Sequence, residues 1–518
     1  MLKIAVIVLP LLLFGVPAFG QTWVTAWGRV PISTTITTDH TFKDPAPSLG
    51  GKTLRVMSRL TTSGTQVRIK LSQRFSSVAL RVTAVHVAVR GTGSSIVAGT
   101  DRAVTFSGSQ SVSVPAGGDV WSDPVSLSVT AHHDLATSLY VPGSWVPTTE
   151  GARGGLKTSY YKSGNLVSAS NLQFASTTKQ VFGVFEVQVS SSAPAMLIAC
   201  LGNSITEGAC SNLDANGDWP DLLSNRLTTL PDGTRVGVLN AGVGSGRFVS
   251  SDGAGVRGLM RIPDLLAEPG LKWVVILMGV NDISYEHSTA NALIQAYASA
   301  ITQIHAIPNV RVVGVPILPF GRSSKDVGGN VQVALDVNAW IRAHDKRNGA
   351  AEPSYDAVID FEPVVKDPND SRWALLPSLT CDRVHPNQAG YTAMANAIDL
   401  SLFQSPPALR ADAPVESAVV RESVVESKSG IVAIVPNPSA GAVTVRFAVA
   451  RAEWTRLAIY DVAGRRLWSL VDAPSSAGVH EARWDGRTND GRGVTSGMYF
   501  ARLDVGGTVQ TKPLMIVR

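Results

Sequence analysis

Short runs of alternating apolar and polar residues fill the first third of the chain. The alternation is plain at Val67, Ile69 and Leu71, and turns rich in Gly, Ser and Pro separate such runs. Successive side chains of a β-strand point to opposite faces of a sheet, so this spacing is typical of half-buried strands. We therefore expect residues 22–190 to form an antiparallel β-sandwich.

Beyond Pro194 the pattern changes to continuous apolar runs separated by longer helical stretches. The runs that predict strands are Met196–Leu201, Val236–Leu239, Trp273–Met278, Val310–Ile317 and Ala357–Phe361. The stretches that predict helices are Trp219–Leu230, Ala290–Ile307, Val331–Arg347 and Asn387–Leu402. Strands joined by helices pair in parallel and are covered on both faces. Residues 194–405 are therefore expected to form a three-layer α/β domain, whose ligands bind at the carboxyl ends of the strands.

The chain changes character again after Pro406 and Pro407. Residues 406–429 are rich in Glu, Ser, Ala and Val but have no amphipathic period, which indicates a linker. From residue 430 to residue 518, short alternating runs return around turn signals such as Asn489-Asp490-Gly491. This pattern predicts a small C-terminal β-sandwich of Ig type.

The N-terminus has the three parts of a secretory signal peptide. Met1-Leu2-Lys3 supplies the charge, Ile4–Leu13 the apolar run and Ala18-Phe19-Gly20 the small residues. We expect residues 1–20 to be removed and the protein to be secreted or displayed at the cell surface. The alternative is an uncleaved anchor, although the run is shorter than the ~20 residues of a membrane span. No later segment has the pattern of a transmembrane helix.

Charge and cysteine content narrow the function classes. The 45 Lys and Arg residues exceed the 40 Asp and Glu residues by little, and no dense basic run occurs, so we expect no nucleic-acid partner. Three cysteines are too few for a disulfide scaffold. Cys210 and Cys381 either form a bridge or stay unpaired thiols, and we expect Cys200 to be buried.

Two segments look like parts of metal sites without the full ligand set. The pair His132-His133 has no companion at metal-ligand spacing, which favours a surface loop. The segment Asp214–Asp218 begins like a calcium loop, yet Asn225 stands at the twelfth position, where a bidentate Glu is expected. We therefore expect no metal and no cofactor. Trp219, next along the chain, either lines a substrate cleft or only begins a helix.

The candidate nucleophile is Ser204, in the segment Gly202-Asn203-Ser204-Ile205. It follows a buried strand and precedes a helical segment, where backbone N–H groups point outward and can stabilise an oxyanion. A serine hydroxyl needs a base, and the base needs a carboxylate that fixes its tautomer. His385 has Asp382 three residues before it, so one loop supplies both groups.

Two further turns end at the same expected edge of the sheet. Gly279-Val280-Asn281-Asp282 follows the third predicted strand, and the Asn281 amide can donate to an oxyanion. The glycine-rich stretch 240–246 follows the second strand, and a tight turn there can present a backbone N–H. Together these segments supply a nucleophile, oxyanion donors, a base and its orienting carboxylate.

The segment around Ser204, the stretch 240–246, the segment around Asn281 and the Asp382–His385 segment resemble the four conserved sequence blocks of the GDSL-type or SGNH hydrolases. The resemblance extends into the N-terminal region, at Trp23–Trp27, Thr53-Leu54-Arg55 and Ile96–Phe106, and covers about residues 22 to 403. It implies a flavodoxin-like hydrolase domain with Ser204 as nucleophile, His385 as general base and then acid, and Asp382 as its orienter. It also implies an oxyanion hole formed by the Ser204 N–H, a second-block N–H and the Asn281 side chain.

The chain departs from the family pattern at two positions. Asn203 stands where the family usually has Asp, a position outside the triad. Ser245 stands at the register of the oxyanion glycine, with Gly244 and Gly246 beside it. The donor is therefore the N–H of Ser245 or that of Gly246, and both alternatives stay open.

The C-terminal region resembles Ig-like domains related to flagellar hook-capping proteins and to the sorting domains of type IX secretion. The segments that carry this resemblance are Pro436-Asn-Pro-Ser, Ile459-Tyr-Asp-Val-Ala-Gly-Arg, Trp484-Asp-Gly-Arg and Ser496-Gly-Met-Tyr-Phe. The resemblance implies recognition by a secretion machinery, and a structural spacer is the alternative.

The expected function is an exported serine esterase that hydrolyses carboxylic esters through an acyl-enzyme. Acetylated polysaccharide suits the β-sandwich and the export signal, and a short-chain lipase-like substrate is the alternative. Two other functions stay open. One is an acyltransferase with the same triad, and the other is a non-enzymatic surface protein that binds carbohydrate.

Overall fold

The structure is a computed structural model that divides into two compact units, Met1–Pro406 and Pro407–Arg518. It describes residues 22–35, 45–152, 157–249, 258–404, 429–435, 439, 441–461, 465–476, 478–488, 491–495, 497–506 and 508–516. The expected signal peptide lies outside the described residues, and so does the expected linker apart from its last residue, Ser429. No helix in the described ranges has the length and apolar character needed to cross a membrane.

The described residues of the first unit before residue 195 form strands and no helix. They are β1 (Thr22–Gly28), β2 (Pro31–Ser33), β3 (Lys52–Arg59), β4 (Gly64–Ser72), β5 (Leu80–Val82), β6 (Ala84–Val89), β7 (Arg102–Ala103), β8 (Val112–Val114), β9 (Asp119–Trp121), β10 (Val125–Val129), β11 (Asp134–Val141), β12 (Thr149–Gly151), β13 (Ser159–Ser163), β14 (Ser176–Thr178) and β15 (Val184–Ser191). One antiparallel sheet has the order β1-β15-β4-β10, with β9 also paired to β4, and a second has the order β14-β13-β3-β11-β6-β7. Val67, Ile69 and Leu71 of β4 are buried between them, as their spacing predicted. The expected β-rich N-terminal region is confirmed.

Strands and helices alternate in the rest of this unit. The strands are β16 (Ala195–Gly202), β17 (Arg235–Gly242), β18 (Leu271–Leu277), β19 (Arg311–Gly314) and β20 (Ala357–Val358). The α-helices are α1 (Ser204–Glu207), α2 (Trp219–Arg226), α3 (Gly258–Leu266), α4 (Val280–Glu286), α5 (Ala290–His305), α6 (Asn330–Ala343), α7 (Glu362–Val365) and α8 (Gln388–Ala397). Short 3-10 turns lie at Lys346–Asn348, Pro377–Leu379 and Leu400–Phe403.

The five strands form one parallel sheet in the order β17-β16-β18-β19-β20, which is the flavodoxin-like order. Alternate residues of β16 face opposite layers. Leu197 packs in the cluster that contains α3, α5 and α6, and Ile198 packs in the cluster that contains α2 and α8. The expected three-layer α/β fold is therefore confirmed. It places the carboxyl ends of β16, β17 and β18 side by side.

The sandwich and the α/β sheet share one hydrophobic core, because β1 lies directly against β17. A Cβ at Gly237 would come within 2.6 Å of the Thr25 carbonyl oxygen, so only glycine permits this approach. The Thr25 hydroxyl donates to Glu268 over 2.6 Å. The N-terminal strands thus support the central sheet from one side.

The second unit is a β-sandwich of its own. Its strands are β21 (Gly430–Val435), β22 (Val443–Val449), β23 (Glu453–Tyr460), β24 (Arg466–Ser475), β25 (Gly478–Trp484), β26 (Gly497–Val505) and β27 (Thr508–Ile516). The sheets have the orders β21-β22-β25 and β24-β23-β26-β27, and buried Trp484 packs edge-on against Tyr499 between them. The expected C-terminal β-sandwich is confirmed, although the turn residues 436–438 and 489–490 lie outside the described residues.

Candidate active site

Ser204 lies at the carboxyl end of β16, where the chain turns directly into α1. The turn is tight, because a Cβ at Gly202 would overlap the Thr206 hydroxyl. Asn203 caps the helix, and its side-chain oxygen accepts from the Ile205 N–H over 3.0 Å. An Asp side chain makes the same cap, which explains why Asn is tolerated at this position. Ser204 is held at the edge of the sheet and is only 5% exposed.

His385 and Asp382 meet Ser204 from the loop that precedes α8. The Ser204 Oγ lies 2.8 Å from His385 Nε2, and His385 Nδ1 lies 2.7 Å from Asp382 Oδ2. The other carboxylate oxygen, Oδ1, accepts from the backbone N–H groups of Val384 and His385 over 2.9 and 2.7 Å. The structure therefore brings the three expected triad residues into one hydrogen-bonded chain.

The charge state of Asp382 follows from its partners. Burial opposes ionisation, but the hydrogen bond and charge of His385 and the two backbone N–H bonds prevail and lower the pKa of Asp382 to about 2. An ionised carboxylate only accepts hydrogen bonds, so His385 Nδ1 carries the hydrogen. His385 Nε2 then faces the Ser204 hydroxyl as an acceptor, which is the tautomer that a general base requires.

A disulfide bond joins the two segments that carry these residues. Cys210 lies shortly after α1 and Cys381 directly before Asp382, and their Cα atoms are 6.4 Å apart. The pairing that the sequence left open is thus present, and Cys200 is buried as an unpaired thiol. Cys210 Sγ also lies within 4.8 Å of ligand atoms of Asp382 and His385. The sulfur is in the disulfide and the other two groups bond to each other, so these three residues are not arranged to hold a metal.

Asn281 and Asp282 hold the glycine-rich turn after β17 in place. The Asn281 amide Nδ2 donates to the Gly246 carbonyl over 3.0 Å, which uses one of its two hydrogens. The buried Asp282 carboxylate accepts from the Phe248 and Val249 N–H groups over 2.8 Å. Burial raises the pKa of Asp282 to about 6 against these hydrogen bonds. Both side chains lie in the first turn of α4, so α4 and the turn form one rigid wall of the site.

The two candidate oxyanion donors in this turn differ in their surroundings. The Gly246 N–H donates to the Val243 carbonyl over 2.9 Å and is therefore engaged inside the turn. Ser245 has a φ of 54°, the left-handed conformation that favours glycine. The backbone at Ser245 thus keeps the conformation that a glycine would adopt, although the residue is a serine.

Lys325 is a buried residue of this region that the sequence did not point to. Its ammonium donates to Asn281 Oδ1 over 3.2 Å and to Ser284 Oγ over 3.1 Å. It lies in the loop after β19, at the same edge of the sheet as the other blocks. A search for polar residues after every predicted strand would have included it, but no motif marks it.

The remaining expectations concern the segment before α2. Both carboxylate oxygens of Asp214 accept from Thr158 of the sandwich, from its N–H over 2.8 Å and from its hydroxyl over 2.7 Å. Asp218 caps α2 through the Asp221 N–H. Trp219 is fully buried in the first turn of α2, so it begins the helix and packs in the core.

The histidine pair of the sandwich lies near α2. His132 is part-buried, and its Nε2 lies 3.3 Å from Ser224 Oγ at the junction of the sandwich and α2, whereas His133 is exposed.

Two parts of the chain match family models. Residues 200–393 match the GDSL-like Lipase/Acylhydrolase family, and residues 436–505 match the FlgD Ig-like domain. The resemblance to GDSL-type hydrolases and the resemblance to hook-capping Ig-like domains are both confirmed. No curated protein matches the chain.

Solved structures of two esterases are similar to part of the chain. Est24, a carbohydrate acetylesterase from Sinorhizobium meliloti, is 16% identical, with a TM-score of 0.31, and the match covers 39% of this chain and 95% of Est24. The inhibitor-bound aryl esterase of M. smegmatis is also 16% identical, with a TM-score of 0.31 and coverage of 39% and 95%. Similarity at this level assigns no substrate to this chain.

Proposed function

On the premise that residues 200–393 form a GDSL-like lipase/acylhydrolase domain, an ester-hydrolase class, we propose that the protein is an exported serine esterase with Ser204 as nucleophile. The observation that carries the proposal is the chain of hydrogen bonds from Ser204 through His385 to Asp382, at 2.8 and 2.7 Å. Such a chain removes the hydroxyl proton as the oxygen attacks a carbonyl.

The reaction proceeds in two stages. Ser204 Oγ bonds to the ester carbonyl carbon while His385 Nε2 takes the hydroxyl proton, and Asp382 stabilises the imidazolium. His385 then gives this proton to the alcohol oxygen of the ester, the alcohol departs, and the acyl group stays bonded to Ser204. Water attacks the acyl-enzyme in the same way, and the carboxylic acid is released as Ser204 recovers its proton.

The oxyanion formed in each stage needs donors at the carboxyl edge of the sheet. We assign this role to the Ser204 N–H, the Asn281 amide and, in the glycine-rich turn, the Ser245 N–H. Ser245 is chosen because it stands at the register of the family's oxyanion glycine and has a φ of 54°, the conformation that a glycine would adopt. Preorganised donors of this kind stabilise the developing charge without reorganisation during the reaction.

An acetyl ester on a polysaccharide is the substrate that we propose. The sandwich adjoins the segment between the nucleophile and α2, since Lys157 donates to Asn216 over 3.0 Å and Thr158 donates to Asp214. The sandwich therefore extends the surface beside this segment, on which a polymer can lie. Export is supported by the signal-peptide pattern and by the disulfide, which persists in oxidising compartments.

The C-terminal unit supports delivery outside the cytoplasm as part of the same proposal. Residues 436–505 match the FlgD Ig-like domain, and their resemblance to sorting domains suits recognition by a secretion machinery. Residues 430–518 are fused to a second protein, and attachment of this fusion to the cell surface or its release into the medium tests the role. A fusion that lacks residues 430–518 is the control.

The test is ester hydrolysis by the wild type and by Ser204→Ala. The wild type is expected to release p-nitrophenol from acetyl esters and acetate from acetylated xylan, and Ser204→Ala should lower kcat about 10³-fold or more. Ser211→Ala is the matched control, because Ser211 is also a buried serine, lies shortly after Ser204 in the chain and is not part of the triad.

The outcomes separate the candidate functions. A chain-length profile that peaks beyond acetyl would favour a lipase-like enzyme, and acylated sugar formed with a sugar acceptor would favour an acyltransferase. A wild type that hydrolyses no ester would contradict the proposal and favour a carbohydrate-binding protein.

A further inference from the structure

Lys325 places a buried ammonium group directly behind the Asn281 amide. The residue is 7% exposed, and Nζ lies 3.2 Å from Asn281 Oδ1 and 3.9 Å from the centre of the Tyr285 ring. Removing an ammonium from water is costly unless polar partners compensate for the lost hydration. An apolar residue would fill this space at lower cost, so the position of the charge calls for a reason beyond packing.

The backbone around Lys325 is fixed by its own loop. The Lys325 N–H donates to Ser323 Oγ over 3.1 Å, and the Asn330 amide at the start of α6 donates to the Lys325 carbonyl over 3.0 Å. The side chain therefore starts from a defined point and reaches α4. Its contact with Asn281 is part of the built structure of the site.

The contact determines how the Asn281 amide is oriented. A lysine ammonium only donates, so the atom that faces it must be the amide oxygen. The Gly246 carbonyl only accepts, so the atom that faces it, at 3.0 Å, must be the amide nitrogen. The two contacts agree on one orientation, in which Nδ2 lies on the side of the glycine-rich turn.

We propose that Lys325 is a positioning residue of the oxyanion hole and acts through Asn281. The inference rests on the proposed function, because it assigns Lys325 to the same oxyanion. By donating to Oδ1, Lys325 keeps the amide from flipping and draws electron density away from Nδ2, which makes its N–H a stronger donor.

The experiment compares Lys325→Met with the wild type on p-nitrophenyl acetate. Met keeps most of the apolar stem but removes the charge and the donors. Loss of one direct oxyanion donor costs about 10²- to 10³-fold in kcat, so loss of its support should lower kcat about 10- to 100-fold. KM should change by less than about threefold, because the interaction strengthens in the transition state.

Two controls test the specificity of the effect. Ser284→Ala removes a second hydrogen bond of Lys325 but leaves Asn281 in place, and Lys346→Met removes a lysine whose side chain is 57% exposed. Both should keep kcat within about threefold, since neither removes a donor to Asn281. Asn281→Ala should remove the dependence on Lys325, so the double variant with Lys325→Met should be no slower than Asn281→Ala alone.

Three results would overturn the inference. These are an unchanged kcat in Lys325→Met, a rise in KM with kcat unchanged, and a double variant slowed by the product of the single effects. If Lys325→Met does not fold, Lys325→Gln, which keeps a donor without the charge, takes its place with a smaller expected loss. A wild type without esterase activity is distinguishable, because it overturns the proposed function together with this inference.

Discussion

The disulfide between Cys210 and Cys381 should stabilise both the first unit and the geometry of its triad. The bonded residues are 171 positions apart in the sequence. Closing a loop of that length in the unfolded chain corresponds to about 5 kcal/mol in the chain-entropy description, and measured values are commonly 2–4 kcal/mol. For the Met1–Pro406 unit, about 0.8 kcal/mol shifts the melting temperature by one degree, so the expected loss is about 3–6 °C.

The perturbation is the double variant Cys210→Ser/Cys381→Ser, with reduction of the wild type as an independent route to the same state. Because Cys381 adjoins Asp382, the freed loop should also let the carboxylate and imidazole shift relative to Ser204. A displacement of about 1 Å can cost on the order of 10²-fold, so we expect kcat to fall at least about tenfold. Calorimetry and the rate of p-nitrophenyl acetate hydrolysis measure the two effects.

Cys200→Ala is the matched control, because it removes a buried thiol without touching the bridge. It should lower the melting temperature slightly and leave kcat unchanged. The reasoning is refuted if the double variant melts within about 1 °C of the wild type and turns over substrate at the same rate.

Other expected results concern Asp382 and Asp214. Asp382→Asn should lower kcat about 10³- to 10⁴-fold because the amide permits the wrong His385 tautomer, and a loss below tenfold would contradict that role. The lowered pKa of Asp382, about 2 against an ordinary 3.8, means that its stabilising effect is fully present above pH 3.8 and is lost as the pH falls through about 2. Since the Asp382 side chain is 48% exposed, solvent screening limits this effect to about 1 kcal/mol. The free energies of unfolding of the wild type and of Asp382→Asn, compared between pH 5 and pH 2, measure it. Asp214→Ala should lower the free energy of unfolding by about 1–3 kcal/mol through its lost bonds to Thr158, and a calcium-dependent melting temperature in the wild type would show that the segment is a metal loop after all.

The meeting of Ser204, Asn281 and the His385 loop could be anticipated because parallel strands end at one edge of a sheet. The apolar runs gave the strands, and the turn after each run then had to lie at that edge. The spacing of Asp382 and His385 within one loop made their contact a local matter. Such features depend on a few neighbouring residues, so the sequence alone carries them.

Other features depend on partners far away in the chain. The fourth and fifth strands are predicted to reach Ile317 and Phe361, but they end at Gly314 and Val358. Strand β20 ends at Val358 because this residue pairs with Gly314, the last residue of β19. Helix α3 contains Pro263 and was not expected, since an interior proline argues against a helix. The residue that faces Asn281 is determined by a tertiary contact, which the spacing of apolar residues along the sequence does not reveal. The contact between Lys325 and Asn281 could therefore be found only once the loop after β19 had a position.

The pairing of β1 has a consequence for how the chain is made. Gly28 of β1 pairs with Glu186, and Thr25 bonds to Glu268 still further along. At synthesis rates of about 5–20 residues per second, the first strand waits roughly 10–30 s for its partner strand. During that time β15, the strand to which β1 is hydrogen-bonded, has not yet been made. A chain that is translocated while still unfolded passes through this interval before β1 can join its sheet.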